Sequence, residues 1–342
     1  MLQVQAMTTG ERAAAALFRE HAGVPPDSIE AFPASGSARQ YFRLRQGARN
    51  VVATYNADAR ENLAFVDFSR RLGAKGVRVP AIHAVASDGL AYLQEDLGDA
   101  TLLDAAGPAG DALSSDAMAL YRQALRELLI LQVRGHEGID YSRCLSRADF
   151  DGTCARWDLD YYKYCFLRLS GIGFDEERLE EDFKRLAARV DGERRESFMH
   201  RDFQSRNIMV RDDSLFFVDY QGGRRGAFPY DVASLLHDAA ATISPGQREE
   251  LMEYYVSLLS RENPAAAARF RSVYDHFVLL RLLQAMGAFG LRGLHEGKRS
   301  FMAWIRPGSR LILSLFALSR IDYPEIEHTA RAAWMKYNEM KE

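Results

Sequence analysis

The 342-residue sequence has only three cysteines, Cys144, Cys154 and Cys165, and almost no net charge. The odd number and wide spacing of the thiols argue against a disulfide framework and against a thiolate zinc site. The 47 acidic residues nearly balance the 44 basic residues, leaving a formal charge of -3. The chain therefore lacks the excess positive charge that draws a protein to nucleic acid.

A long uninterrupted apolar run is also missing. The longest, Phe277–Leu291, is broken by Arg281 and Gln284, which favours a core helix over a membrane span. The first residues, as far as Glu11 and Arg12, do not show the basic start and apolar core that are typical of a signal peptide. We therefore expect a cytoplasmic protein with neither a membrane nor a nucleic-acid partner.

The first hundred or so residues predict a small antiparallel sheet with one helix packed on it. Helical spacing of apolar residues predicts helices over Thr9–Ala22 and Arg60–Leu72, and the second of these would pack on the sheet. Short stretches rich in β-branched and aromatic residues predict five strands, at Ile29–Phe32, Tyr41–Arg45, Asn50–Tyr55, Ile82–Ala86 and Leu90–Gln94.

After Gly98 the pattern changes to helices, and the length of the chain suggests about two units. We therefore predict an N-lobe of residues 1–97 and a C-lobe of residues 98–342. One hairpin, Ile208–Asp219, is the only strand structure predicted in the C-lobe. The predicted helices of this lobe cover Ser115–Val133, Arg156–Leu169, Asp175–Val190, Gln247–Arg261 and Ala265–Leu294.

The open end of this hairpin carries the residues that indicate chemistry. Asn207 precedes its first strand and Asp219 follows its second, so antiparallel pairing brings both side chains to one end of the ladder. A carboxylate and an amide oxygen suit Mg²⁺, which takes further ligands from water and substrate phosphates. Asp202, five residues before Asn207, could accept the proton of an acceptor hydroxyl during phosphoryl transfer.

The spacing of Asp202, Asn207 and Asp219 resembles the protein-kinase-like fold, and more closely its aminoglycoside phosphotransferase and choline kinase branch. The string VDYQ, Val218–Gln221, stands where a protein kinase has Asp-Phe-Gly, and FPYDVASLL, Phe228–Leu236, resembles the branch's Asp-bearing helix start. The resemblance implies a bilobal α+β fold with a nucleotide-binding N-lobe and a mainly helical C-lobe. It also implies ATP and Mg²⁺ as cofactors and a small hydroxylated molecule as substrate.

Two residues are assigned supporting roles by the same resemblance. An Asp at the position of Asp231 would steady the loop that carries Asp202 through hydrogen bonds. Glu61, at the start of the N-lobe helix, resembles the glutamate that pairs with a strand lysine in the family. That lysine is missing, because Asn50–Tyr55 contains none and the first lysine of the chain is Lys75. Either Arg39 or Arg43 substitutes for it, or the affinity for ATP is modest.

The remaining nucleotide contacts are expected in the N-lobe. Ser35, Gly36 and Ser37, with Arg39, form a small-residue turn whose N–H groups could cover phosphates, although such a turn more often only joins two strands. The family's connection between lobes, which contacts adenine through its backbone, is resembled by Gln94–Leu97, and the predicted contacts there are Gln94, Glu95 and Leu97.

The acceptor is indicated less directly. HRDFQSRN, His200–Asn207, together with VDYQ and YLQEDLG, Tyr92–Gly98, is similar to bacterial kinases that phosphorylate the anomeric hydroxyl of N-acetylmuramate and N-acetylglucosamine. An amino sugar is therefore the expected acceptor. Alternatives are an aminoglycoside, a choline-like alcohol or a hydroxy amino acid, or a catalytically silent nucleotide-binding module. The sequence does not indicate the oligomeric state.

Several charged residues near the predicted site allow two interpretations. Arg206 could reach a phosphate or pair with an exposed carboxylate. Arg224 and Arg225 follow Asp219 closely and are either exposed charges or an attraction for an anionic acceptor. Asp158 is expected to be solvated.

Overall fold

The computed structural model describes residues 7–33, 38–107 and 112–338, and its N-lobe contains one five-stranded antiparallel sheet of order β1-β2-β3-β5-β4. Each strand and helix predicted for this lobe is present, within two residues of its predicted bounds. The N-lobe elements are α1 Thr9–Ala22, β1 Ser28–Ala31, β2 Gln40–Gln46, β3 Arg49–Tyr55, α2 Ala59–Ala74, β4 Ile82–Val85 and β5 Ala91–Glu95.

Two helices cover this sheet, where the sequence predicts one. A capping box between Thr8 and Glu11 begins α1, which buries Leu17 and Phe18 against the sheet. On the opposite face, Phe65 of α2 stacks on Tyr92 of β5 with ring centroids 5.3 Å apart. Alternation of side chains along β5 gives the sheet two apolar faces, and each of them needs a cover.

The C-lobe is mainly helical, and all five long helices predicted for it are present. A turn of π-helix, Lys163–Leu167, joins helix Gly152–Tyr162 to helix Arg168–Ser170, and a second one, Gly290–His295, extends helix Pro264–Phe289. The elements are α3 Leu102–Ala105, α4 Ser115–Arg134, α5 Gly152–Tyr162, α6 Arg168–Ser170, α7 Glu176–Asp191, β6 Ser197–Met199, β7 Ile208–Arg211, β8 Ser214–Phe217, β9 Arg224–Gly226, α8 Pro229–Leu236, α9 Pro245–Glu262, α10 Pro264–Phe289, α11 Arg299–Met302, α12 Ile305–Leu318 and α13 Pro324–Asn338.

The prediction of a single strand pair in this lobe is wrong. The hairpin is present as β7 and β8, but β6 and β9 form a second antiparallel pair, which leads into the loop that carries Asp202. These two strands have only three residues each, too few for an alternating pattern to be recognised. The division of the chain after Leu97 stays a prediction.

The core of the C-lobe is built around α10. Two stretches, Pro264–His295 and Arg299–Leu318, are long and apolar enough to cross a membrane by length and composition. In the first, 67% of the most apolar window is buried inside the protein, as a core helix requires, against 28% in the second. A Cβ on Gly290 would lie 1.9 Å from the carbonyl oxygen of Cys165, so the glycine permits close packing of the two π-helical turns.

The β7–β8 hairpin has the register that the sequence predicts. Its two turn residues, Asp212 and Asp213, have φ angles of 48° and 57°, and this left-handed pair is typical of a type I′ turn. The Val218 N–H donates to the Asn207 carbonyl at 3.1 Å just beyond the ladder. Asn207 and Asp219 consequently lie together at its open end.

Candidate functional site

A cleft of about 980 Å³ lies between the sheet of the N-lobe and the helices of the C-lobe. Asp202, Asn207 and Asp219 all line it, so the three side chains on which the sequence prediction depends face one cavity. The N-lobe and the connection between lobes contribute Phe32, Pro33, Arg39, Tyr41, Val52, Phe65, Pro80, Tyr92 and Gln94–Gly98. The far end is lined by Tyr161, Gln204, Arg206, Gln284, Ala288, Arg292, Lys298, Ser300 and Phe301.

The loop between β6 and β7 is held in one conformation by its own hydrogen bonds. Asn207 Nδ2 donates to the backbone oxygen of Asp202 at 2.9 Å, and the Gln204 N–H donates to the same oxygen at 2.9 Å. The carboxylate of Asp202 is not used in these bonds, and its side chain is 43% exposed. The loop therefore presents a partly solvated carboxylate to the cleft.

Asp231, at the start of α8, holds the backbone of this loop through hydrogen bonds. Its two carboxylate oxygens accept the backbone N–H groups of His200, at 2.8 Å, and of Arg201, at 3.0 Å. Arg201 has a φ of 84°, an uncommon value for a residue with a Cβ. Burial raises the pKa of Asp231 to about 7, although the two N–H donors act against that shift. Asp231 thus supports the backbone rather than facing the cleft.

Arg201, the residue before Asp202, is held in place by its own side chain. Its guanidinium donates twice to Asp158, at 2.6 and 2.7 Å, and lies 4.8 Å from the ring centroid of Phe150. The expectation that Asp158 is solvated is wrong, since this side chain is buried. A buried carboxylate needs a partner, and the bidentate arginine supplies it.

Aromatic rings connect α2 to the strand end that carries Asp219. Tyr220 stacks on Phe65 with centroids 4.7 Å apart, and its hydroxyl is 2.6 Å from the Ser69 hydroxyl, also on α2. Below it, His200 Nε2 donates to the Val218 carbonyl at 3.0 Å. Burial lowers the pKa of His200, so the ring is neutral and acts as scaffold.

Arg39 takes the position in which the strand lysine is missing. Its Nη2 donates to Asp219 Oδ1 at 2.5 Å, and its Nε lies 3.4 Å from Glu61 Oε1. Burial opposes the charge of the guanidinium, but the two carboxylates more than offset this and raise its pKa above the usual value. Glu61 is also fixed by Asn56, whose Nδ2 donates to it at 2.6 Å. A permanent cation therefore joins the α2 glutamate to Asp219.

The structure does not bring Arg43 to this cluster. Its guanidinium instead binds two carboxylates of the connection between lobes, Asp96 at 2.7 Å and Asp99 at 2.8 Å. Of the two arginines offered for the missing lysine, only Arg39 meets Glu61 and Asp219. The predicted phosphate turn, Ser35, Gly36 and Ser37, lies outside the described residues.

The connection between the lobes lines the cleft at Gln94, Glu95 and Leu97, the residues predicted to contact adenine. Glu95 also accepts a hydrogen bond at 2.6 Å from Arg211 of β7, and Arg211 donates as well to the Asp96 carbonyl at 3.1 Å. The connection is thus held by an arginine from each lobe, Arg43 and Arg211. Its remaining backbone groups can face a flat ring in the cleft.

The donors around Asn207 and Asp219 fit a Mg²⁺ ion that shares its ligands with phosphates. Because Asn207 donates through Nδ2 to the loop, its Oδ1 is not used in that bond, and the residue lines the cleft. Asp219 has a φ of 68° and a side chain 33% exposed. No group of three or more acidic, His or Cys side chains that could hold a metal occurs among the residues described. These two oxygen ligands would therefore need phosphate oxygens and water to complete a shell.

Apart from Arg206, the residues at the far end of the cleft are not predicted by the sequence. Tyr161 comes from α5, Gln284 and Ala288 from α10, and Arg292 and Lys298 from the segment after it. The sequence contains one indication of this wall: Arg281 and Gln284 interrupt the apolar run of α10, and polar residues are uncommon on a buried helix face unless they have a specific role. Arg224 and Arg225 do not line the cleft, and Arg225 binds Asp149 at 2.8 Å instead.

Comparison with known proteins gives the family. The model described as the phosphotransferase enzyme family (APH) matches residues 28–270. The chain belongs to this family. It is a small-molecule kinase with the protein-kinase-like fold of the family, which confirms the fold class and the family resemblance of the sequence.

Individual members of the family are similar over most of the chain. An N-acetylmuramate/N-acetylglucosamine kinase of Pseudomonas aeruginosa is 31% identical over 82% of this chain and 81% of its own length. A protein of the same description from Pseudomonas putida is 24% identical over 84% of this chain and 83% of its own length. A crystal structure of the aminoglycoside phosphotransferase APH(4)-Ia, in complex with ADP and hygromycin B, has a TM-score of 0.58 at 15% identity, covering 90% of this chain and 100% of that one. This last likeness concerns the fold.

Proposed function

We propose that this phosphotransferase moves the γ-phosphoryl group of ATP to the anomeric hydroxyl of an amino sugar of the N-acetylmuramate or N-acetylglucosamine type. The choice of acceptor rests on the charge at the far end of the cleft. The described residues that line this end include three cations, and the nearest carboxylates that line the cleft are Asp202 and Asp219. The described relatives that act on these two sugars support the same choice.

The nucleotide would bind beneath the N-lobe sheet. Adenine would lie against the connection at Gln94–Leu97, whose polar backbone can bind its edge while Val52 and Met209 contact its faces. The phosphates would then extend toward Arg39 and Asp219. Mg²⁺ held by Asn207 and Asp219 would neutralise the charge of the phosphate oxygens during transfer.

The chemical step assigned to Asp202 is a proton transfer. The acceptor oxygen forms a bond to the γ-phosphorus as the bond from that phosphorus to the bridging oxygen of ADP breaks, and the electron pair leaves with ADP. The hydroxyl proton passes to the Asp202 carboxylate, which lines the cleft and is 43% exposed. An ordinary carboxylate suffices because the transition state is loose and catalysis is mainly positioning.

The charge at the far end of the cleft, called the acceptor end below, discriminates between the alternative acceptors. Arg206, Arg292 and Lys298 line it, whereas the carboxylates that pair with them, Asp238 and Glu296, do not line the cleft. A cationic aminoglycoside or choline-like alcohol would meet like charge there. A neutral or acidic sugar would not, and Tyr161 and Phe301 add aromatic faces beside hydrogen-bonding side chains.

A panel of acceptors incubated with γ-labelled ATP and Mg²⁺ tests the proposal. We expect labelled product with N-acetylglucosamine and N-acetylmuramate, and at least about a hundredfold lower kcat/KM with an aminoglycoside or choline, because each like-charge contact costs several kcal/mol. Phosphorus NMR of the product should show a sugar 1-phosphate.

The methyl glycoside of N-acetylglucosamine is the matched control, since only its anomeric oxygen is blocked. It should yield no product. Transfer to the methyl glycoside would contradict the anomeric assignment, and transfer to choline alone would contradict the amino sugar. Binding of Mg²⁺-ATP without product from any acceptor would indicate the silent module.

Arg39 should decide the affinity for ATP. Replacing it in Arg39→Met removes the cation that joins Glu61 to Asp219, and we expect the dissociation constant for Mg²⁺-ATP to rise about 10- to 100-fold, the value of a lost charged hydrogen bond. Arg39→Lys should lose less. The exposed Arg45, also paired to a glutamate from β1, gives the control Arg45→Met. Calorimetry showing equal ATP affinity in Arg39→Met and Arg45→Met would contradict the role.

A further inference from the structure

Arg281 is a buried cation in α10, a long and largely apolar helix. It is 5% exposed and lies on α10 among side chains such as Leu280 and Leu283 that are fully buried. Removing a guanidinium from water is energetically unfavourable unless partners compensate for the loss. The side chains that contact Arg281 must therefore stabilise its charge.

Each nitrogen of this guanidinium has its own partner. Nε donates to the Ser234 hydroxyl on α8 at 3.0 Å, and Nη1 donates to Gln284 Oε1, one helical turn further along α10, at 2.5 Å. Nη2 lies 3.6 Å from Asp202 Oδ1. Two neutral oxygens thus fix the plane of the guanidinium, and its third nitrogen points at the carboxylate assigned as the base.

The contact with Asp202 is an ion pair without a hydrogen bond. A separation of 3.6 Å is too long for a hydrogen bond but short enough for strong Coulombic attraction in a partly buried setting. Among the described side chains, Arg281 is the one that forms an ion pair with this carboxylate. The attraction restricts the orientation of the carboxylate while leaving its oxygen lone pairs for an incoming proton.

We propose that Arg281 is a positioning residue of the phosphoryl transfer, acting through Asp202. It holds the carboxylate toward the acceptor hydroxyl, and through Gln284, which lines the acceptor end, it ties that orientation to the wall against which the acceptor binds. The inference rests on the proposed function, because it needs Asp202 to act on an acceptor. Arg281 itself takes no proton and touches no reacting atom.

Two substitutions of Arg281 separate orientation from charge. Arg281→Met keeps the length and apolar stem of the side chain, and we expect kcat for N-acetylglucosamine to fall about 10- to 100-fold, the penalty of a small misplacement of a catalytic group. Arg281→Lys keeps the cation and should recover part of the loss. The dissociation constant for Mg²⁺-ATP, measured by calorimetry, should change by less than about twofold in both.

A double-mutant cycle with Asp202→Asn supplies a readout that a purely structural role would not produce. If Arg281 acts through Asp202, adding Arg281→Met to Asp202→Asn should lower the single-turnover rate by no more than about twofold further. Losses that multiply in the double variant would overturn the proposal.

Lys163→Met is the matched control for loss of a buried cation. Lys163 is 3% exposed in the same lobe, but its partners Glu176 and Glu180 belong to α7 and do not line the cleft. This variant should melt at a lower temperature with kcat unchanged. Should Arg281→Met not fold, Arg281→Lys and Ser234→Ala, which removes only the Nε partner, carry the cycle instead.

The outcomes of these experiments distinguish the role of Arg281 from the proposed function. A wild-type protein that phosphorylates no sugar contradicts the proposed function. A wild-type protein that does so, with kcat equal in folded Arg281→Met and in Lys163→Met, overturns the role of Arg281 alone.

Discussion

Replacing Asp202 with Asn should lower kcat about a thousandfold while leaving the binding of Mg²⁺-ATP unchanged. The substitution keeps the shape of the side chain and removes the only group at the centre of the cleft that we assign to receive the acceptor proton, and general bases contribute rate factors of this order. The loop should stay in place, because its hydrogen bonds use the backbone oxygen of Asp202 and the side chain of Asn207. Steady-state kinetics and calorimetry measure the two quantities.

The matched control is Asp213→Asn, the same chemical change at an exposed residue in the β7–β8 turn. Asn tolerates the left-handed conformation that Asp213 has there, with a φ of 57°. Its kcat should equal that of the wild type. Equal turnover of Asp202→Asn and Asp213→Asn would remove Asp202 from the mechanism.

Replacing Asp219 with Asn should weaken nucleotide binding much more when Mg²⁺ is present than when it is absent. With Mg²⁺ present we expect the dissociation constant for ATP to rise about 10- to 100-fold, because the ion loses its one anionic protein ligand and keeps the weaker amide of Asn207. In EDTA the loss of affinity should be smaller, because only the anchoring of Arg39 is then affected. Turnover should fall as well, since the transferred phosphoryl group is no longer held in place.

Arg39 makes this experiment sensitive to a second effect. The Asp219 carboxylate accepts hydrogen bonds from Arg39 and, at 3.0 Å, from Gln221, so an amide at this position also weakens the anchoring of Arg39. Gln221→Ala is the control for a disturbed carboxylate, because it removes one hydrogen bond to Asp219 but keeps the charge and the contact with Arg39. A dissociation constant that rises equally with and without Mg²⁺ in Asp219→Asn would contradict the metal assignment.

The hairpin illustrates a structure that could be predicted from local sequence. Alternation of apolar residues on either side of Asp212-Asp213 determines which residues face each other, and a two-residue turn leaves no other register. The meeting of Asn207 and Asp219 follows from that register. Asp202 follows too, because only four residues separate it from Asn207.

Other parts of the site depend on contacts between distant segments. Asp158 reads as a solvated helix residue, yet α5 packs against the loop before Asp202, where Arg201 neutralises it. The choice between Arg39 and Arg43 could not be made from the strand pattern. It depends on the carboxylates that surround each guanidinium, Glu61 and Asp219 in one case and Asp96 and Asp99 in the other.

The sequence by itself determined the sheet, the long helices, the hairpin and the position of Asp202 in the loop before it, because periodicity, turn chemistry and short spacings are local properties of the chain. Only the tertiary structure decided which arginine stands in for the missing lysine, what lines the acceptor end and where the charge of Arg281 points. These depend on α5, α8 and α10 packing around a loop that lies between α7 and α8 in the chain. A side chain in such a contact has its partner, and therefore its chemistry, chosen by the packing of elements that are far apart in sequence.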